Sequence, residues 1–334
     1  MAFEDRRNRI SLPFNPGNPA IFSLNPGGKV LQGRVIISGN VTISGCTVPG
    51  TVINEGGPVG LVSRIQVTAT RAAGSRYPGG KIVDCTPRSL LRYAIAQRGK
   101  FVGEQSGSTL GGGANGTYPI YLSIPIYFAD PTNRNQVQTA LNMDPADSKG
   151  NPIYSNVQVQ VNLASDLTGC FVGNNGVLNA AGLTVQWQDT RLGLTGDTVP
   201  LVQEDHVMLL ATTQTRAADY ALPADGAYTS WLLMAELGAY HTLSNALLNR
   251  VTVQAPTLNF DEYSPDIQQK MLDDDWYDAA QSMAGQYFID FTNGLLLNSN
   301  PASGIAAIFD VNNVSGANLD QLRFYTRRIY TLAS

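Results

Sequence analysis

The chain has 334 residues, of which 43% are apolar and only 14% charged, with a formal net charge of -4 and a pI near 5.2. This length suits two domains of about 150 residues each. The acidic balance excludes the global positive field with which proteins hold nucleic acid by counterion release, so direct sequence-specific nucleic-acid binding is not expected. Charged residues usually make up about 25% of a chain, so here Asn, Gln, Ser, Thr and Gly must fill the outward positions. Neutral polar groups cost less to desolvate than charges, a composition suited to surfaces covered by identical neighbours. Cys46, Cys85 and Cys170 are odd in number and lie in no CxxC pair, which indicates neither a disulfide framework nor a zinc site. No run approaches the ~18 apolar residues of a membrane span. The charged start, 1–9, has no apolar stretch behind it, so no secretory signal is expected and synthesis is placed in a cytoplasm.

In chain order, 1–28 carries Pro13, Pro16, Pro19 and Pro26, with Asn-Pro-Gly at 15–17 and 25–27. Such punctuation predicts an N-terminal arm that joins no sheet. Its apolar Ile10, Leu12, Phe14, Ile21, Phe22 and Leu24 are poorly placed in water and are expected to dock, beneath the domains or on a neighbouring subunit. At its tip Arg6, Arg7 and Arg9 outnumber Glu4 and Asp5. From Arg34 the pattern changes: Val35, Ile37, Val41 and Ile43 alternate with polar residues, the period of a half-buried strand. Similar strands are expected over 61–70, 120–128 and 153–163, and Pro125 puts the strand over 120–128 at an edge or a bulge. A helix is predicted after Thr86, with Pro87 in its first turn, Leu90, Leu91, Ala94 and Ile95 on one face, and Gly99 beyond its end. Arg88, Arg92 and Arg98 lie off that face and read as a solvated or subunit-contacting row.

The first domain is thus expected at 29–172, a Gly/Asn/Ala-rich linker at 173–182, and a second domain at 183–334, opening with the alternation of Leu183, Val185 and Trp187. Further strands are expected over 206–213, 230–237, 247–253, 287–291, 305–311 and 322–332. One helix starts at Ser264-Pro265 and carries Ile267, Met271, Leu272, Trp276 and Met283 at helical spacing up to Gly285. Many short strands, Gly/Asn turns and two helices define an all-β chain of sandwiches or jelly rolls rather than an α/β architecture.

Catalytic material is scarce. His206 and His241 are the only histidines, so neither a His-based triad nor a multi-histidine metal site can be assembled, and both read as structural. Asp273, Asp274 and Asp275 point about 100° apart on a helix and cannot converge on one ion. Asp144, Asp147 and Gly150 faintly resemble a calcium loop without its alternating carboxylates or terminal Glu. Gly111–Gly113 lacks the Lys-Ser/Thr of a phosphate loop, and the sequons at Asn40 and Asn115 have no route to glycosylation without a signal. No cofactor is expected.

The order of these elements resembles the double jelly-roll major capsid proteins of tectiviruses and related membrane-containing icosahedral viruses, the lineage that includes the adenovirus hexon. The resemblance is carried by Gly57-Pro58, Leu61-Val62 and Arg64-Ile65 entering a strand before the helix from Pro87 to Arg98, and by the strand over 117–128. Near the end it rests on the helix after Ser264-Pro265, the strands over 285–290 and 305–311, and the aromatic closing strand over 323–330. It covers most of 30–332 as pattern and order, with tower-like insertions differing over 129–152 and 213–228.

It implies two consecutive eight-stranded jelly-roll barrels with a few short helices. The implied role is a non-enzymatic shell protein of the virion, made in the host cytoplasm, whose homotrimers present six similar barrels and tile as pseudo-hexamers. Its implied partners are its own copies, neighbouring trimers, penton and minor capsid proteins, and an internal lipid membrane faced by Arg6, Arg7 and Arg9. Two other classes stay open. A carbohydrate-binding β-sandwich needs clustered exposed aromatics, whereas Trp187, Trp231 and Trp276 are scattered. A jelly-roll glycoside hydrolase needs paired carboxylates, for which Glu204, Asp205, Glu236 and Glu262 are the candidates.

Overall fold

The computed structural model describes residues 10–48, 50–52, 57–98, 110–129, 136–193, 196–211, 215–223, 226–255, 258–273, 284–291, 297–298, 305–312 and 319–330. The chain divides into two compact units. The first is built mainly from residues up to Val202 and the second from Gln203 to Thr331.

In the first unit the strands are β1 (Ile10–Pro13), β2 (Pro19–Ser23), β3 (Lys29–Ser44), β4 (Thr51–Val52), β5 (Val62–Arg71), β6 (Gly80–Cys85), β7 (Gly116–Tyr127), β8 (Leu141–Asn142), β9 (Tyr154–Leu163), β10 (Phe171–Val172) and β11 (Val177–Leu192). Helix α1 (Pro87–Arg98) follows β6. One sheet runs β1-β11-β3-β7, with β8 also on β3, and a second runs β6-β5-β9-β2. Neighbours far apart in sequence pair antiparallel, as β3 does with β11 and β5 with β9, which is the long-range pairing of a jelly roll. Alternate residues of these strands build the core: Val35, Ile37, Val41, Leu122, Ile124, Val159, Val161, Val185 and Trp187 are fully or almost fully buried.

Close backbone approach explains two glycines. A Cβ on Gly33 would lie 2.1 Å from the Trp187 ring. One on Gly39, at φ +127, would lie 2.1 Å from the carbonyl oxygen of Gly182, beside the bulge between Asn179 and Gly182.

The second unit holds β12 (Leu201–Leu209), β13 (Arg216–Leu222), β14 (Gly226–Leu237), β15 (Thr242–Leu243), β16 (Leu248–Ala255), β17 (Leu258–Tyr263), β18 (Gln286–Asp290), β19 (Leu297–Asn298), β20 (Ile305–Val311) and β21 (Gln321–Tyr330). Helix α2 (Ser264–Asp273) follows β17. One sheet runs β13-β20-β16-β17. In the other, β12, β21 and β14 are successive neighbours, and β19, β18 and β15 line successive stretches of β14. Trp231 centres the core, edge-to-face with Phe324 at 4.9 Å, Phe291 at 5.1 Å and Tyr228 at 5.9 Å.

Pro125 does lie on an edge strand, since β7 ends its sheet. Two expectations need correction. The arm is not free of sheet structure: β1 pairs with β11 and β2 with β9. Pro13 ends β1, Pro19 opens β2 and both strands are sheet edges, where a missing N–H costs no ladder bond. The linker over 173–182 is also not one, because β11 begins at Val177 and pairs with β3 throughout. The Asn-Ala-Ala-Gly stretch that reads as a loop is absorbed by the bulge, so the division falls after Val202 rather than at 183. Among the described residues the sheets run as open paths with edge strands, as in a jelly roll.

Strands β6, β13 and β17 were not expected at all, and residues 274–283 of the anticipated second helix lie outside the described residues. At the start of α2 the Ser264 hydroxyl donates to the Leu248 carbonyl at 2.7 Å.

Candidate functional site

The N-terminal segment straps the first unit across its two larger sheets. Ile10 sits opposite Trp187 on β11, and Ile21 opposite Gln160 on β9. The crossing between them is pinned by Phe14 N–H to the Leu183 carbonyl at 3.0 Å and Gly17 N–H to the Ala164 carbonyl at 3.2 Å. Phe14, Ala20, Phe22 and Leu24 are buried, as docking requires, while Ile21 points outward.

Beyond β2, the turn over 25–28 is held by a polar ladder on β11. Arg191 Nη1 donates to the carbonyls of Asn25 (2.7 Å) and Gly27 (2.8 Å). The same guanidinium grips buried Asp189 through Nε (3.0 Å) and Nη2 (2.8 Å), and Trp187 Nε1 donates to that carboxylate at 3.3 Å. Residues two apart on a strand share a face, so this ladder is a row of the β11 pleat. Arg6, Arg7 and Arg9, which lead into Ile10, lie outside the described residues.

The calcium-like loop has its carboxylates engaged by cations of the protein. Asp144 accepts from Gly28 N–H (2.7 Å) and from the buried Lys29 Nζ (3.0 Å). Asp147 accepts from Lys149 N–H (2.9 Å), Asn151 N–H (2.8 Å) and Arg76 Nε (2.8 Å), and Arg76 also pairs with Asp197. Burial pushes Asp147 up, but the Asn151 and Lys149 donors and Arg76 outweigh it and hold the carboxyl below its ordinary range. Among the described residues, no three His, Cys, Asp or Glu side chains are placed to hold a metal ion.

The hydrolase candidates are likewise paired. Glu204 meets Arg328, Glu262 meets Lys270, and Arg323 joins Glu236 (3.3 Å) and Asp205 (3.7 Å). A glycosidase needs two carboxylates free to face the scissile bond, whereas these are engaged by cations of the protein. His241, in left-handed backbone at φ 51, approaches Gln321 Nε2 at 2.9 Å and Glu236 at 3.5 Å, and His206 is half-buried on β12. Trp187 and Trp231 are fully buried and offer no sugar platform. Arg88 and Arg92 are half-buried rather than solvated, and the side chain of Arg98 lies outside the described residues.

The two units define a double jelly roll, the fold of major capsid proteins of icosahedral viruses. The STIV MCP, from Sulfolobus Turreted Icosahedral Virus, is similar over 99% of this chain and 98% of its own, with TM-score 0.67 and 12% identity. VP54 of PBCV-1 is similar over 100% and 98% of the two chains, with TM-score 0.57 and 11% identity. The major capsid protein P2 of bacteriophage PM2 is similar over 98% of each, with TM-score 0.56 and 12% identity. No family model and no curated protein matches the sequence.

Proposed function

We propose that this chain is a major capsid protein, with a structural role and no reaction of its own. The observation that carries the reading is that the likeness runs through both units, over 99% of the chain, rather than through a single sandwich. The paired carboxylates and buried tryptophans favour it over a glycosidase or a sugar-binding module. On this reading, copies of the chain form homotrimers that present six jelly rolls. These tile as pseudo-hexamers with neighbouring trimers, penton and minor proteins in an icosahedral shell around an internal membrane. The protein is made in the host cytoplasm and resides in the virion. Light scattering of the purified protein is expected to give about 107 kDa, three copies of the 35.8 kDa chain. A stable monomer at micromolar concentration would count against the reading.

A further inference from the structure

Three asparagine side chains tie together the loops at one end of the first unit. Asn115 Nδ2 donates to the Cys46 carbonyl at 3.0 Å, and its Oδ1 accepts from Cys46 N–H at 2.7 Å. Asn175 Oδ1 accepts from the N–H groups of Thr47 (3.0 Å) and Val48 (3.1 Å), and its Nδ2 donates to Thr47 Oγ1 at 2.7 Å. Asn174 Nδ2 donates to the Gly113 carbonyl at 2.9 Å, and its Oδ1 accepts from Gly176 N–H at 2.7 Å. Two of the three precede glycine, in Asn115-Gly116 and Asn175-Gly176. With no Cβ on the following residue, its backbone nitrogen can approach the asparagine side chain closely.

We propose that Asn115 and Asn175 are latent deamidation sites and that this amide clasp holds them unreacted. In the reaction the glycine nitrogen attacks Cγ of the asparagine. The N–Cγ bond forms with loss of the N–H proton, the Cγ–Nδ2 bond breaks, and ammonia leaves. Water then opens the succinimide to aspartate or isoaspartate. Cγ must first swing onto the next backbone nitrogen, so each side chain has to leave its partners. At the second site the nucleophile must also leave Asn174 Oδ1. Gly116, the nucleophile at the first site, is held in β7 opposite Ile43.

The two products differ in consequence. An aspartate at 175 keeps both backbone donors, and the Thr47 hydroxyl can turn to donate to it. An aspartate at 115 sets a carboxylate oxygen against the Cys46 carbonyl, an acceptor facing an acceptor. Conversion at 115 therefore opens the loop over 45–48, while conversion to aspartate at 175 preserves it. Each adds one negative charge to a chain that carries -4.

The test compares full-length folded protein with the same protein unfolded in urea, both aged at neutral pH, by peptide mapping for the mass change and isoaspartate content at each site. Because each tethering bond that must open first slows the step severalfold, conversion in the folded chain is expected to be about tenfold slower or more. Asn174→Ala releases the Gly176 N–H and should speed conversion at Asn175 severalfold. Equal rates in folded and unfolded chains would overturn the proposal, as would an Asn174→Ala protein of unchanged circular dichroism that converts Asn175 no faster than the parent.

Discussion

Arg191 Nη1 donates to the carbonyl of Gly27 at 2.8 Å across 164 residues of sequence, tying the last long strand of the first unit to the turn that leads into β3. The same guanidinium neutralises Asp189, which is 2% exposed. Arg191→Met would strand that carboxylate in the interior as well as release the turn, and breaking a buried pair from one side costs roughly 3–5 kcal/mol. Urea melts should show a lower midpoint, and amide exchange should rise over 19–28 while the second unit is unaffected. An unchanged midpoint would mean that the strap is held by its strand pairing alone.

Gly33 and Trp187 make a second testable pair. A methyl group on Gly33 meets the indole at 2.1 Å, a contact that forces a shift of the ring or of β3. Overpacking of this kind costs about 1–3 kcal/mol. Gly33→Ala should therefore be strongly destabilising alone but much less so with Trp187→Phe, whose smaller ring leaves room. Urea melts of the four proteins in this cycle measure the coupling. Simple additivity of the two changes would show that the indole moves aside freely.

What was legible in the sequence follows from period. Val35, Ile37, Val41 and Ile43 announce β3, and Val157, Val159 and Val161 announce β9, because a two-faced strand repeats every second residue. Strands β1 and β2 were hidden because edge strands tolerate proline, and the start of β11 was hidden because a bulge lets small residues interrupt the alternation. At the site, Asp144 and Asp147 stood out as a loop, yet their partners Lys29 and Arg76 lie 115 and 71 residues away, a pairing no local pattern encodes. Asp189 and Arg191 offered a local signal, two charges at inward positions of an apolar strand, which is tolerated only when the charges neutralise each other.

Acid stability should depend on the aspartates bound by cations in the first unit. Asp84, held by Arg64, Lys81 and Gln66, and Asp197, held by Ser148 and Arg76, join Asp147 in having a pKa below the ordinary 3.8 despite the opposing effect of burial. A carboxyl depressed in the folded state contributes stability that is complete above 3.8 and is lost as the pH falls through its folded value. The melting temperature should therefore hold from neutral pH to about 4 and then drop. Asp147→Asn should lower it at neutral pH and flatten the acid drop, so that the two curves converge in acid. A gap between parent and variant that is as wide in strong acid as at neutral pH would rule out this linkage.

Strand β1 starts at Ile10, opposite Trp187, and Arg6, Arg7 and Arg9 precede it in the sequence. Deleting 1–9 removes the arginines and keeps β1, whereas a cut through Pro13 also strips β1 from its sheet. On the proposed inward role, Arg6, Arg7 and Arg9 face an anionic membrane, where each contributes roughly 1 kcal/mol near the surface, enough to orient a subunit but not to anchor it. Deleting 1–9 should leave the melting temperature and the oligomer unchanged while weakening binding to vesicles containing anionic lipid. The binding of the intact protein should itself weaken as salt rises, since charges near a surface are screened within a Debye length. Deleting 1–13 should lower the melting temperature as well, through the lost β1–β11 pairing. If the protein lacking 1–9 bound such vesicles as well as the intact chain, the arginines would have no membrane role, and the segment would matter only through the strand that follows it.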